Sequence, residues 1–172
     1  MMIRSLWPLW RKNSGTTKKP MAEKDTSMMR LGWREWAALP ELGLSDIKAK
    51  VDTGARTSAL HAFELRTFEE NGRQRVEFKM HPNQRDQQTV VVCTADIKDE
   101  REVQDSGGHR EKRWVIETPV EIGGETWTIE MTLTARDDML FRMLLGRTAI
   151  RGRAIVDPSR SYLTGKRKKK KV

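Results

Sequence analysis

Asp52 ends the alternation Ile47-Lys48-Ala49-Lys50-Val51 and is followed at once by Thr53-Gly54-Ala55. A lone carboxylate is a weak tool. Two carboxylates about 3 Å apart cannot both ionise, so they share one proton and divide the labour. The ionised member draws a proton from water while the protonated one polarises a carbonyl, which is chemistry suited to hydrolysing a peptide bond. Gly54 permits a tight turn and leaves room beside the carboxylate for a water and a scissile peptide. Thr53 brings a hydroxyl that can reach a neighbouring chain and lock the loop. The sequence holds one Asp-Thr-Gly, so the second carboxylate is expected from an identical chain across a twofold axis, where a patch meets itself. The plainer reading is an ordinary turn after a strand.

The elements that must position Asp52 are strands. Ile47, Ala49 and Val51 alternate with Lys48 and Lys50, as a strand with one buried face does. Val76, Phe78 and Met80 repeat the pattern. Thr89-Val90-Val91-Val92-Cys93 is a β-branched run that predicts a strand buried on both faces. Val120-Glu121-Ile122, Gly123-Gly124 and Glu125 to Leu133 predict a hairpin, with Trp127, Ile129, Met131 and Leu133 on one face and the glycine pair supplying positive φ. Helix signals are sparse: a short one after Thr57 and another near Thr148–Arg151. The expected fold class is all-β, a small barrel or sandwich.

Some 90 residues after Asp52 comes Met143-Leu144-Leu145-Gly146-Arg147. With it the chain resembles the retropepsin-like aspartic peptidases, whose closed barrel packs an apolar-apolar-Gly strand end behind the Asp-Thr-Gly-Ala loop. The run from Lys50 through Asp52-Thr53-Gly54-Ala55-Arg56-Thr57-Ser58-Ala59-Leu60-His61 to Ala62, together with Val156-Asp157-Pro158, narrows the match. The chain is similar to a bacterial and archaeal family often labelled ATP-dependent zinc protease and associated with ATP-grasp glutamate ligases that modify a ribosomal protein. The resemblance implies catalysis by Asp52, Thr53 and Gly54, and support of the loop by Leu145, Gly146 and Arg147. It implies substrate contacts from Ala55, Arg56 and His61, and a glutamate-rich peptide as substrate. Arg56 stands where viral members carry an acidic residue, which leaves open the ion pair they form with the later arginine.

Asp105-Ser106-Gly107-Gly108-His109-Arg110 is the candidate flap tip, because paired glycines permit a mobile hairpin; a plain surface turn is the alternative. Arg56 is suited by its fork to a substrate carboxylate, or else it pairs with Asp137 or Asp138. A catalytic zinc wants three ligands, commonly His-Glu-x-x-His. His61, His81 and His109 lack that spacing and Cys93 lies in an apolar run, so no metal is expected. No Gly-Lys-Ser/Thr phosphate loop is present either, and no cofactor is expected.

The chain has 172 residues, 37% hydrophobic and 33% charged, enough for one domain with polar extensions. Its net charge of +9 is unevenly spread. Residues 1–30 carry +5, residues 166–171 carry +6, and the segment between carries −2. The division expected is a basic arm over 1–30, a domain over 31–165 and a basic tail over 166–172. No apolar run approaches the roughly 18 residues of a membrane span, and the start lacks the pattern of a secretory signal. One cysteine fits a reducing compartment, so the protein is expected in the cytoplasm. Trp7 and Trp10 could touch a membrane surface or a partner, or form a loose terminus. The lysine run is either a solvated tail or a salt-dependent contact to ribosomes, RNA or oligo-glutamate.

Three functions fit these residues. One is a homodimeric aspartic endopeptidase acting on an acidic segment. The second is a non-catalytic module that brings a partner enzyme to ribosomes through its basic tail. The third, a zinc metallopeptidase, has the least support from the residues.

Overall fold

The computed structural model describes residues 28–104, 107–135 and 140–165. The basic runs at both ends of the chain, and Asp105, Ser106, Asp137 and Asp138, lie outside the described residues. The fold is all-β. Its strands are β1 (Met29–Gly32), β2 (Arg34–Leu39), β3 (Leu44–Asp52), β4 (Ser58–His61), β5 (Phe63–Glu70), β6 (Arg73–Met80), β7 (Val91–Gln104), β8 (Arg110–Ile122), β9 (Glu125–Thr134), β10 (Met143–Gly146) and β11 (Ala154–Asp157). One short helix, α1 (Arg147–Ile150), follows β10, and a single 3-10 turn spans Pro40–Leu42.

Nine strands form one sheet in the order β2-β3-β10-β4-β9-β8-β7-β6-β5. A bridge between Ala38 of β2 and Glu121 of β8 brings the first strand back onto the sixth, so the sheet curls around its core. Ile47, Ala49 and Val51 point into that core, as do Val76, Phe78 and Met80 and the stripe Trp127, Ile129, Met131, Leu133. The period of two therefore marks the buried faces of β3, β6 and β9. Gly123 and Gly124 close the β8–β9 hairpin with φ of 63° and 87°, the left-handed conformation that a two-residue turn demands. The second sheet is a parallel pair, β1 with β11, which joins the two ends of the described chain.

Two expectations are corrected. No helix follows Thr57; β4 occupies that stretch. Ala59 and Leu60 have helix propensity, but β4 lies between β10 and β9 and pairs with both, and that ladder overrides local preference. Nor is the Thr89–Cys93 run buried on both faces. Val90 and Val92 are 44% and 56% exposed, while Cys93 faces inward. A β-branched run reports β propensity, and one open face satisfies it.

Candidate active site

β3 delivers Asp52 to the end of a sheet of central strands. Asp52 and Gly146 are partners in the parallel β3–β10 ladder, so the carboxylate stands beside the point where β10 ends. The chain then turns on Asp52 itself. Its Oδ1 accepts hydrogen bonds from the backbone N–H groups of Gly54 and Ala55 at 3.0 and 3.1 Å. One oxygen is thereby spent on shaping the loop. The other, Oδ2, has Lys50 Nζ at 3.9 Å, and the Asp52 side chain is 27% exposed. A carboxylate fixed at one oxygen and open at the other is oriented without being saturated.

Behind the loop, contact is backbone to backbone. A Cβ on Gly146 would lie 2.5 Å from the Thr57 carbonyl carbon and 2.8 Å from the Ser58 nitrogen. Only glycine fits this approach. The Gly146 N–H donates to Ser58 Oγ at 3.1 Å, and the Arg147 N–H donates to the Ala55 carbonyl at 2.9 Å. Arg147 then reaches over the loop, its Nη1 donating to the carbonyls of Thr53 and Gly54 at 3.0 and 2.8 Å. Thr148 closes the set, donating from N and Oγ1 to the Arg56 carbonyl at 3.1 and 3.0 Å. The loop Thr53–Arg56 is held at every carbonyl, and Leu145 anchors β10 in the core below it.

The model of a protein family described as "RimB-like: Retropepsin-like aspartic endopeptidase RimB" matches residues 30–167. The chain belongs to that family.

Curated relatives add a second thread to the RimB-like assignment. A "Probable alpha-L-glutamate ligase" of Shewanella pealeana is 44% identical over 137 residues, and one of Desulfotalea psychrophila is 45% identical over 136. The matched segments are 80% and 79% of this chain but only 30% and 29% of those proteins. The chain thus spans under a third of the length of these relatives. Among solved structures, a Legionella pneumophila protein of unknown function superposes with a TM-score of 0.68 at 26% identity, covering 79% of this chain and 98% of that one.

The remaining candidate residues lie at different distances from this loop. Arg56 is exposed, and Thr53 is exposed as well. His61 is buried at the far end of β4, tilted against Phe63 at 6.2 Å, with Phe63 stacked in turn on His81 at 4.7 Å. It is part of the wall. Gly107 and Gly108 cap the long β7–β8 hairpin, with Gly108 at φ of 86°. Among the described residues no three His, Cys, Asp or Glu side chains converge as a metal site. Burial pushes the Cys93 thiol up to about 11, so it is a protonated core group at neutral pH.

Four residues of consequence were missed in the sequence. Ser58 and Thr148 brace the loop but look like ordinary turn-formers. Glu35 is fully buried, though it sits in a run, Trp33-Arg34-Glu35-Trp36, that gives no hint of it. Arg142 had a visible signal: it interrupts the apolar stretch Leu140-Phe141 and Met143-Leu144-Leu145.

Proposed function

We propose that this chain is an aspartic endopeptidase that works as a homodimer, each copy supplying one Asp52. The observation that carries the reading is the asymmetric hold on that carboxylate: Oδ1 is tied to Gly54 and Ala55, while Oδ2 has Lys50 Nζ at 3.9 Å. Two such groups meeting across a twofold axis would share a proton, and the ionised one would take a proton from a water between them. The water oxygen attacks the scissile carbonyl carbon as the protonated carboxyl donates to the carbonyl oxygen. Collapse of the tetrahedral species then breaks the C–N bond, and the amine leaves with a proton from the dyad. Thr53 is exposed in the single chain, and on this reading its hydroxyl meets the partner copy.

The substrate we infer is an acidic, glutamate-rich segment. Support comes from relatives named as glutamate ligases, in which a segment similar to this chain accompanies a much longer remainder. We place the activity in the cytoplasm, where a chain with one cysteine, buried and protonated, stays reduced. Among the described residues no helix is long and apolar enough to cross a membrane.

Asp52→Asn tests the reading. It should lower cleavage of a glutamate-rich peptide at least ~10³-fold while leaving the dimer intact in sedimentation. Undiminished cleavage would end the proposal. The same relatives favour a second reading, a non-catalytic module that docks a ligase partner and reaches ribosomes through residues 166–171. On that reading Asp52→Asn leaves function untouched, and removing the lysine run abolishes it.

A further inference from the structure

The curled sheet has a second buried layer on the face turned away from its core. On β4 the core takes Leu60, while Ala59 stands outside the core cluster. On β9 the core takes Met131 and Leu133, which sends Thr132 and Thr134 to the other face. The ladders align these residues in rows. Ala59 pairs with Thr132 on one side and Leu144 on the other, forming the row nearer Asp52. Thr134 pairs with His61, and the His61 N–H donates to the Arg142 carbonyl at 2.9 Å, forming the next row.

That second row is chemically unusual. Arg142 is only 7% exposed, yet its Nε has no hydrogen-bond partner among the described residues. Thr134, also buried, has a side-chain oxygen in the same condition. Burying a guanidinium nitrogen without an acceptor is costly, and native folds rarely keep such an atom without a use. Arg113 shows the usual solution: almost equally buried, it donates Nε to Glu111 at 2.9 Å. Thr134 stands two strands from Arg142 in its row, the Phe63–His81 stack leans on His61, and Gln84 Nε2 ties the neighbouring segment to the Leu140 carbonyl at 2.7 Å.

The position matters as much as the vacancy on Arg142. It lies four positions before Gly146, the ladder partner of Asp52, a span of ~13 Å at the rise of a strand. An extended peptide covers that in about four residues, and in two or three once both side chains reach toward each other.

We propose that Arg142, with Thr134 two strands away in the same row, is the specificity-determining subsite that takes a substrate carboxylate two or three residues from the scissile bond. This deepens the peptidase reading and rests on a peptide lying across the Asp52 loop. A carboxylate there would give Arg142 Nε an acceptor, in the two-pronged geometry that the guanidinium fork favours, and accept from the Thr134 hydroxyl.

The test separates binding from hydrolysis. In the Asp52→Asn protein, binding of a glutamate-rich hexapeptide and of the same peptide with every Glu replaced by Gln is measured by calorimetry. Adding Arg142→Met should weaken the acidic peptide at least ~10-fold and leave the neutral one unchanged. Arg142→Lys, which keeps the charge and loses the fork, should fall between, and guards against a folding defect in the first variant. A structural role and a binding role also differ in the melt. Removing a buried guanidinium whose Nε lacks an acceptor should raise Tm, whereas losing a structural tie would lower it. Equal affinities for the acidic peptide with and without Arg142, or a lowered Tm with both peptides weakened alike, would overturn the subsite. Should the acidic peptide bind through Arg142 while wild-type protein cleaves nothing, hydrolysis fails and the subsite stands. Should wild type cleave acidic and neutral peptides alike, with Arg142→Met without effect, the subsite fails and hydrolysis stands.

Discussion

Glu35 and Asp52 lie on adjacent antiparallel strands, and the fold treats their carboxylates in opposite ways. Glu35 is fully buried and saturated. Its Oε1 accepts from the N–H groups of Gly32 and Leu163 at 2.6 and 2.9 Å, and its Oε2 from the N–H and hydroxyl of Thr164 at 3.3 and 2.8 Å. Four donors from both ends of the described chain converge on one side chain, and Gly32 itself approaches the Arg160 carbonyl too closely for any Cβ. Asp52 receives two donors, both on one oxygen, and keeps the other open. A carboxylate with every acceptor site filled is a rivet. One with half its sites filled is oriented and still able to exchange a proton or hold a water.

The contrast predicts a crossed pair of effects, and the larger lies in Glu35. Glu35→Gln is nearly isosteric, but it places an amide NH₂ among groups that all donate. Losing charge-assisted bonds and leaving buried donors unmet should cost about 2–3 kcal/mol. For a chain of this size that lowers Tm by roughly 5–10 °C, read in a calorimetric scan. Asp52→Asn should leave Tm within a degree or two while removing activity. If the two melts move equally, the distinction between a structural and a reactive carboxylate fails.

Gly146→Ala probes the place where stability and site geometry meet. Its Cβ would push against the Thr57–Ser58 peptide, which is backbone and gives way poorly. Overpacking of this kind costs about 1–3 kcal/mol. Because Gly146 is the ladder partner of Asp52, the strain also shifts the loop. Cleavage should therefore fall further than the loss of folded protein accounts for. A variant whose activity tracks its folded fraction would show that the loop tolerates displacement.

What could be read from the sequence divides along the same line as these two carboxylates. The faces of β3, β6 and β9 were legible because a period of two is a local signal. Asp52 was legible because a turn, a glycine and an apolar strand lie within a few residues of it. Glu35 was not, because Leu163 and Thr164 lie 128 and 129 residues away in the chain. The helix expected after Thr57 failed for the same reason: the ladders that decide β4 come from β9 and β10. Arg147 lies between the two cases. Its place after Gly146 marked it as support and its ion pair was left open, but its actual partners, the Thr53 and Gly54 carbonyls, could not be read. Backbone acceptors carry no sequence signature.

A third carboxylate sharpens the comparison with the smallest expected effect. Glu130 of β9 is neither saturated in the interior nor open for reaction. It takes a two-pronged contact from Arg101 at 2.6 and 3.2 Å, and Lys98 lies at 2.8 Å. Hydrogen bonds from Arg101, then from Lys98, hold its acid well below the usual range, at about 2. A depressed folded-state value means that the ionised form supports the fold. Its contribution is fully present above the unfolded value near 4.5 and is lost as pH falls toward 2. Solvent reaches the side chain, so screening reduces the contribution to about 1 kcal/mol. Glu130→Gln should therefore cost that little at pH 7, and the difference from wild type should vanish between pH 4.5 and 2 in denaturant titrations. If the Glu130 penalty persisted at pH 2, its support would have to come from packing rather than charge, and the three-way ordering of these carboxylates would lose its electrostatic basis.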